Sequence, residues 1–238
     1  MSDLPAFLHR TFFRTVSLLS PAGQGRFLRS YFEWFHRNPD PWRYAVDPYE
    51  ITKYEVTLKS VPERPYDRIL DVGCSEGSFT HRVAGAYPEA EVLGVDVSAR
   101  AVRRASAVPC ATAGDRRVGK ARFAALDFLN QEPGGTFDLV VCAETLYYVG
   151  RGARLRAASG RLRSFMNPGA SLILVHEWPE SRGLYRHFDR DPLLRKVDEH
   201  VEEHTVRPYA VTRYERLAGH VRRSGHSDDR PSEDPSFC

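Results

Sequence analysis

The sequence predicts an α/β protein: a doubly wound, Rossmann-like sheet with a helical lid at its amino-terminal end. Three observations lead there. From Arg68 to His176, short apolar runs alternate with amphipathic helical stretches, the pattern of a parallel sheet covered on both faces. The first run closes on Asp71-Val72-Gly73-Cys74-Ser75-Glu76-Gly77, a glycine-bearing turn where a strand hands over to a helix. Before Pro65 the periodicity is helical and rich in aromatic residues.

The elements follow in order. Phe7, Leu8, Phe12, Phe13, Val16 and Leu19 fall near helical spacing, and Ser20-Pro21-Ala22-Gly23 ends that helix. The aromatic-rich segment Tyr31-Phe32-Glu33-Trp34-Phe35 runs into the turn Asn38-Pro39-Asp40-Pro41-Trp42. A helix from Asp47 places Pro48 in its first turn and Ile51, Tyr54 and Leu58 on its inner face. Strands are expected at Arg68–Val72, Glu91–Asp96, Arg122–Leu126, Phe137–Cys142 and Ser171–His176, the last entered through Pro168-Gly169. Helices are expected over Ser78–Ala86, from the Ser98 cap to Ala105, and over residues 152–166, with a loop at 107–120. Val201–Val206 and Ala210–Leu217, joined by Arg207-Pro208, read as an edge hairpin with no helix between. The last twenty residues are polar and turn-rich and read as disordered. The expected division is a lid over residues 1–64, the sheet domain over 65–218 and a tail over 219–238.

Composition removes several function classes. At 238 residues and 42% hydrophobic, the chain has enough apolar surface for one substantial core. No apolar run approaches the roughly 20 residues that span a bilayer, and no signal peptide is visible, so a soluble cytoplasmic protein is expected. With 34 Lys+Arg against 31 Asp+Glu, the net charge of +3 is too small to favour nucleic acid globally. The arginines at 151, 154, 156, 161 and 163 lack interleaved aromatics and read as a solvated helix face. Cys74, Cys110, Cys142 and Cys238 are far apart without a CxxC pair, so reduced thiols and no metal are expected.

The turn after the first strand carries the chemistry. Gly73 suits unusual backbone angles and Gly77 a close ligand approach, at the positive end of a helix. The spacing is GxxxG rather than the GxGxxG of dinucleotide binders, and Asp71 and Glu76 flank it. Carboxylates there repel a pyrophosphate and suit a ligand with an ammonium group and a positive centre. Asp96 ends the second strand, Asp127 follows the third, and Glu144 follows the fourth.

Together these residues resemble motif I and the acidic strand ends of the class I S-adenosylmethionine-dependent methyltransferases. The resemblance implies the strand order 3-2-1-4-5-7-6 with an antiparallel last strand. It implies S-adenosylmethionine as cofactor, with S-adenosylhomocysteine as its product. Asp71, Gly73, Cys74 and Gly77 would form the corner, Asp96 and Val97 hold the ribose, Asp127 and Phe128 frame the adenine, and Glu144 lie beside the methionine part. Asp40-Pro41-Trp42-Arg43, Pro48-Tyr49-Glu50, Lys53-Tyr54 and Ala143-Glu144-Thr145-Leu146-Tyr147-Tyr148 are similar to the NodS-type methyltransferases. That family includes the nodulation enzyme that N-methylates an amino sugar, with relatives in natural-product pathways.

The resemblance covers roughly residues 31–217 and implies an enzyme acting on a small molecule, a sugar or glycosylated metabolite, with N-methylation ahead of O-methylation. Trp42, Tyr49 and Tyr54 either wrap the cofactor's sulfonium or pack the lid. Arg43 or Lys53 either hold its carboxylate or face solvent. His176, at the end of the fifth strand, is the candidate general base for an alcohol or a satisfied buried histidine. Glu144 and Glu177 either bind a substrate ammonium or act in its place, and Tyr147, Tyr148 and Trp178 are candidate walls of the acceptor pocket. An NAD(P)-dependent oxidoreductase and a non-catalytic cofactor-binding protein are the competing readings.

Overall fold

The computed structural model describes residues 11–108 and 121–218. The expectations for the start of the first helix, most of the 107–120 loop with Cys110, and the tail with Cys238 lie outside the described residues.

Three helices precede the sheet among the described residues, the first two being α1 (residues 11–16, as far as described) and α2 (Pro21–Phe35). Ser20-Pro21 therefore opens a helix as well as closing one. The Ser20 hydroxyl accepts from the Gly23 amide, and Pro21 brings a helix-ready φ to the first turn. Helix α3 (Pro48–Lys59) is capped by Asp47, whose carboxylate accepts from the Tyr49 amide. Its buried face is not the apolar one expected: Glu50, Lys53, Tyr54 and Thr57 point inward, while Ile51 and Leu58 are only partly covered.

The sheet runs β1 (Arg68–Val72), β2 (Glu91–Asp96), β3 (Ala121–Ala125), β4 (Phe137–Ala143), β5 (Met166–Glu177), β6 (Leu194–Glu202) and β7 (Tyr209–Arg216). In space the order is β3-β2-β1-β4-β5-β7-β6. The pairs among β1 to β5 are parallel, and β7 is antiparallel to both β5 and β6. Strand β5 begins before Pro168-Gly169, and its pairing with β4 shifts register between Phe137 and Leu139.

Alternate side chains feed two cores. Leu70, Val72, Val140, Cys142, Leu172 and Leu174 face α6 (Gly152–Ser164) and α7 (Ser181–Asp189), while Ile69, Val92, Leu139, Val141 and Ile173 face α4 (Ser78–Ala86) and Tyr54 of α3. Helix α5 (Ala99–Ala107) packs Ala101, Val102 and Ala105 inward. The sequence reading missed α7, although Leu184, Tyr185 and Phe188 share one face of a helix. The sixth strand also starts earlier than expected, at Leu194 rather than Val201.

Of the five arginines at and within α6, Arg156 is exposed as expected, but the other four are engaged. Arg151 donates to Ser17, Arg154 to the Leu19 carbonyl, and Arg161 to the Phe128 carbonyl, while Arg163 pairs with Asp191 at 2.8 Å. They fasten the amino-terminal segment and the loop after β3 to the sheet. A small third core of Phe13, Leu28 and Phe32 seats α1 and α2 over Trp42, Val97 and Tyr148. All five parallel strands point their carboxyl ends toward this cover, so the ligand crevice of an open α/β sheet lies beneath it.

Among the described residues, no helix is long and apolar enough to cross a membrane, and no cluster of three potential metal ligands occurs.

Candidate functional site

A cavity of about 1160 Å³, counted to its open mouth, lies between the carboxyl ends of β1, β2 and β4 and the helices α2 and α3. Gly73 forms its floor. Its φ is +80°, a region an L residue enters only with strain, and a Cβ there would sit 1.9 Å from Thr145 Oγ1. Cys74 and Ser75 continue the floor, with Ser75 also left-handed at φ +49°.

Asp96 stands at the tip of β2 with its carboxylate pinned on both sides. Oδ2 accepts from the Ser75 amide at 3.0 Å and Oδ1 from the Ser98 amide at 2.8 Å. Burial raises its pKa, while those amides and nearby His36 pull it back without cancelling the rise. Each oxygen keeps a second lone pair, so the pair of acceptors suits the two hydroxyls of a vicinal diol. Asp71 is 3% exposed and accepts from Thr80 Oγ1 at 2.6 Å. Burial pushes its pKa up to about 6, with Thr80 opposing and Asp96 adding to the rise.

Asp127 lines the cavity with Phe128 and Val97. Its Oδ1 accepts from the Leu129 amide and its Oδ2 from Asn130 Nδ2 at 2.6 Å. Helix α2 approaches so closely that a Cβ on Gly25 would meet Asp127 Oδ2 at 2.3 Å. Two flanking residues of the glycine turn do not reach the cavity. Glu76 pairs with Arg104 at 2.8 Å, and the missing Cβ of Gly77 makes room for the Phe123 ring rather than for a ligand.

A second cavity of about 750 Å³ opens beside the first, and Trp42, Tyr44, Glu50, Lys53, Glu144 and Tyr148 line both. Tyr49, Tyr147, Glu177, Glu180 and Arg207 complete it. Glu144, directly after β4, takes a left-handed φ of +52°, which turns its carboxylate to the shared wall. Lys53 Nζ lies 3.1 Å from Glu144 and 2.8 Å from Glu50, and Arg207 reaches Glu50 from the hairpin at 2.9 Å. Burial works against the Lys53 charge, but Glu144 and Glu50 prevail and raise its pKa. Lys53 is thus neither solvent-exposed nor without partners, whereas Arg43 is exposed. Trp42 stacks on Phe35 at 4.5 Å and on Tyr44 at 5.4 Å, so packing claims much of its ring. Tyr147 Oη accepts from the Glu177 amide.

His176 lines neither cavity. It is 0% exposed, its Nε2 accepts from the Leu146 amide at 3.1 Å, and its Nδ1 therefore carries the proton shared with Tyr185 Oη at 3.0 Å. Burial, with Lys53 adding, lowers its pKa to about 3. The base expected at this position is a satisfied histidine that orients the turn after β4. Trp178 is likewise absent from both linings and packs on the core beneath Arg182.

A neutral buried histidine has a thermodynamic signature. The unfolded chain takes up a proton near pH 6.5 that the folded chain refuses until about pH 3, so stability falls as pH drops through that window. Urea unfolding at pH 7 and pH 5 should show a loss about 2 kcal/mol larger in the wild type than in His176→Gln. Equal losses would mean that His176 is not held neutral.

Sequence reasoning missed His36, Tyr44, Glu50, Thr145 and Arg207. Only Glu50 left a signal, an acid three residues before Lys53 on a helix with an aromatic face.

The comparisons match this architecture. Residues 70–172 match the family model described as a methyltransferase domain. Nodulation protein S of Rhizobium tropici is 33% identical over 138 residues, covering 56% of this chain and 53% of that protein. Trans-aconitate 2-methyltransferase of Deinococcus radiodurans is 36% identical over 137 residues, covering 58% and 48% respectively. The chain thus spans about half the length of these curated relatives. In fold it resembles the N-methyltransferase NodS from Bradyrhizobium japonicum WM9 solved with S-adenosylhomocysteine: TM-score 0.65, 23% identity, 79% of this chain and 98% of that one. The strand order is the one the resemblance implies. Residues 70–172 thus carry a methyltransferase domain, and the chain is similar to the NodS-type methyltransferases in sequence and in fold.

Proposed function

We propose that the chain binds S-adenosylmethionine in the larger cavity and methylates the amine of a small molecule, an amino sugar or aminoglycosylated metabolite, held in the smaller one. The observation that carries this is the shared wall. There Glu50, Lys53 and Glu144 face both cavities, and the acceptor side adds Glu177 and Glu180 against Arg207, with no imidazole in its lining.

Asp96 would hold the ribose hydroxyls, Asp127 and Phe128 the adenine, and Asp71 with the Gly73 corner the methionine part. The bound cofactor supplies a methyl carbon activated by sulfonium. This chain's residues need to align the acceptor with that carbon and exclude water, which the cover of α2 and α3 does. As an amine attacks, positive charge grows on nitrogen, and Glu144 at the wall stabilises it and takes the proton released afterwards. An alcohol would need its proton removed during attack, and His176 is not placed to do so. Tyr147 and Tyr49 offer walls for a sugar ring.

Methyl transfer from labelled cofactor to an amino sugar tests the reading. Label should appear on the free amine and not on its N-acetylated or hydroxyl-only counterparts. Label confined to a hydroxyl or to a tricarboxylate, as the name of the Deinococcus relative would suggest, overturns it. Calorimetry tests the cofactor half. S-adenosylhomocysteine should bind and NAD(P) should not, and Asp96→Ala should weaken binding by about 1.5–3 kcal/mol, the range for hydrogen bonds to a charged group. Unchanged affinity would remove the ribose assignment.

A further inference from the structure

Both oxygens of Asp96 depend on backbone amides, and α2 grips the residue behind each of them. On one side, His36 caps α2 and is 1% exposed. Its Nδ1–H donates to the Phe32 carbonyl at 3.0 Å, and its Nε2 is hydrogen-bonded to Ser75 Oγ at 3.1 Å. Ser75 is the residue held at φ +49°, and its amide donates to Asp96 Oδ2. On the other side, Glu33 lies one turn earlier on α2. Its Oε1 accepts from the Arg100 amide at 2.9 Å and from Ser98 Oγ at 3.4 Å. The Ser98 amide in turn donates to Asp96 Oδ1. Arg104 closes the arrangement by donating to the carbonyls of His36, Arg37 and Asn38 at the end of α2 while pairing with Glu76 of the glycine turn.

A left-handed serine costs of order 1 kcal/mol and needs its surroundings to hold it. A buried imidazole also loses its hydration unless both nitrogens find partners. An apolar residue at position 36 would pack against Trp42, 5.3 Å away, without that desolvation cost. What the imidazole adds is a hydrogen bond to the residue that aims one amide at Asp96.

We propose that His36 is a positioning residue for the diol-binding carboxylate. Through Ser75 it sets the orientation of Asp96, so that α2 is a structural part of the ribose corner and cofactor affinity depends on its docking. This rests on the reading that Asp96 holds the ribose hydroxyls.

The test is calorimetry with S-adenosylhomocysteine and with its 2′-deoxy analogue, on wild type, His36→Phe, His36→Gln, Ser75→Ala and the His36→Phe/Ser75→Ala double variant. Wild type should prefer the full diol by at least tenfold. His36→Phe should weaken binding of the full ligand about tenfold while leaving the deoxy analogue within threefold, because the lost orientation matters only where two hydroxyls are held. His36→Gln, whose side-chain oxygen can accept from Ser75 Oγ, should recover most of the loss. The double variant should bind no more weakly than either single, as residues acting through one contact do. Equal weakening toward both ligands, or additive losses in the double variant, would overturn the proposal in a wild type that binds normally. Should His36→Phe fail to fold, Ser75→Ala and His36→Gln carry the same comparison. A wild type that binds neither ligand would instead overturn the cofactor reading itself, before any variant is compared.

Discussion

Gly73→Ala should lower stability by about 2–4 kcal/mol and abolish detectable binding of S-adenosylhomocysteine, the largest effect expected from any single added methyl group. Two costs combine. The left-handed φ of +80° costs an alanine roughly 1–2 kcal/mol. The new Cβ would also lie 1.9 Å from Thr145 Oγ1 and 3.0 Å from Thr145 Cβ, so one of them must move. Neither is free to do so. The Gly73 amide is bonded to the Val95 carbonyl at 2.8 Å, and Thr145 Oγ1 donates to the Ala143 carbonyl at 2.8 Å. Displacing Thr145 drags Glu144, its neighbour at φ +52°, away from the wall between the cavities. Overpacking of this kind typically costs 1–3 kcal/mol. Urea unfolding and calorimetry would check both effects. Pairing the change with Thr145→Gly should recover the steric part of the stability but not the backbone part. A Gly73→Ala protein that binds with wild-type affinity would show that the corner is not the cofactor's floor.

The sheet was legible because its signals are local. Arg68–Val72, Glu91–Asp96 and Ser78–Ala86 are bounded by their own turn and cap residues, and the structure shows those limits unchanged. The acidic strand ends were legible for the same reason, since a position at the tip of a strand follows from where the strand stops. The partnerships that build the site were not. His36 meets Ser75 across 39 residues and Arg207 meets Glu50 across 157, and no periodicity encodes such a meeting. Helix α3 misled for a related reason. Its turn presents Glu50 and Lys53 to a cavity, so charge sits where an apolar stripe is expected. His176 shows the opposite failure. Its place at a strand end suggested a base, and only the Leu146 amide and Tyr185 hydroxyl reveal that both nitrogens are already occupied.

Lys53→Met should destabilise the folded chain by about 3–5 kcal/mol, the range for breaking a buried ion pair by removing one partner. The Lys53 and Glu50 side chains are 5% and 2% exposed, so the pair is desolvated in full. Without the ammonium, Glu50 keeps only Arg207, whose side chain is 55% exposed and correspondingly weak as a partner. Glu144 is 24% exposed and better hydrated, so its own share of the stability loss is smaller. Its loss is functional, because the carboxylate at the shared wall is then no longer held in place. Much of the cost belongs to the stranded charge of Glu50, so Lys53→Met/Glu50→Gln should be more stable than Lys53→Met alone, with a coupling of about 1–3 kcal/mol. Methyl transfer should separate from stability in the same pair. The double variant regains its fold yet stays impaired in turnover, since nothing restores the anchor for Glu144. A Lys53→Met protein within about 1 kcal/mol of wild type would place the cluster with ordinary surface pairs. In that case the charges at the wall would be spectators, and the acceptor would have to be positioned by the aromatic walls alone.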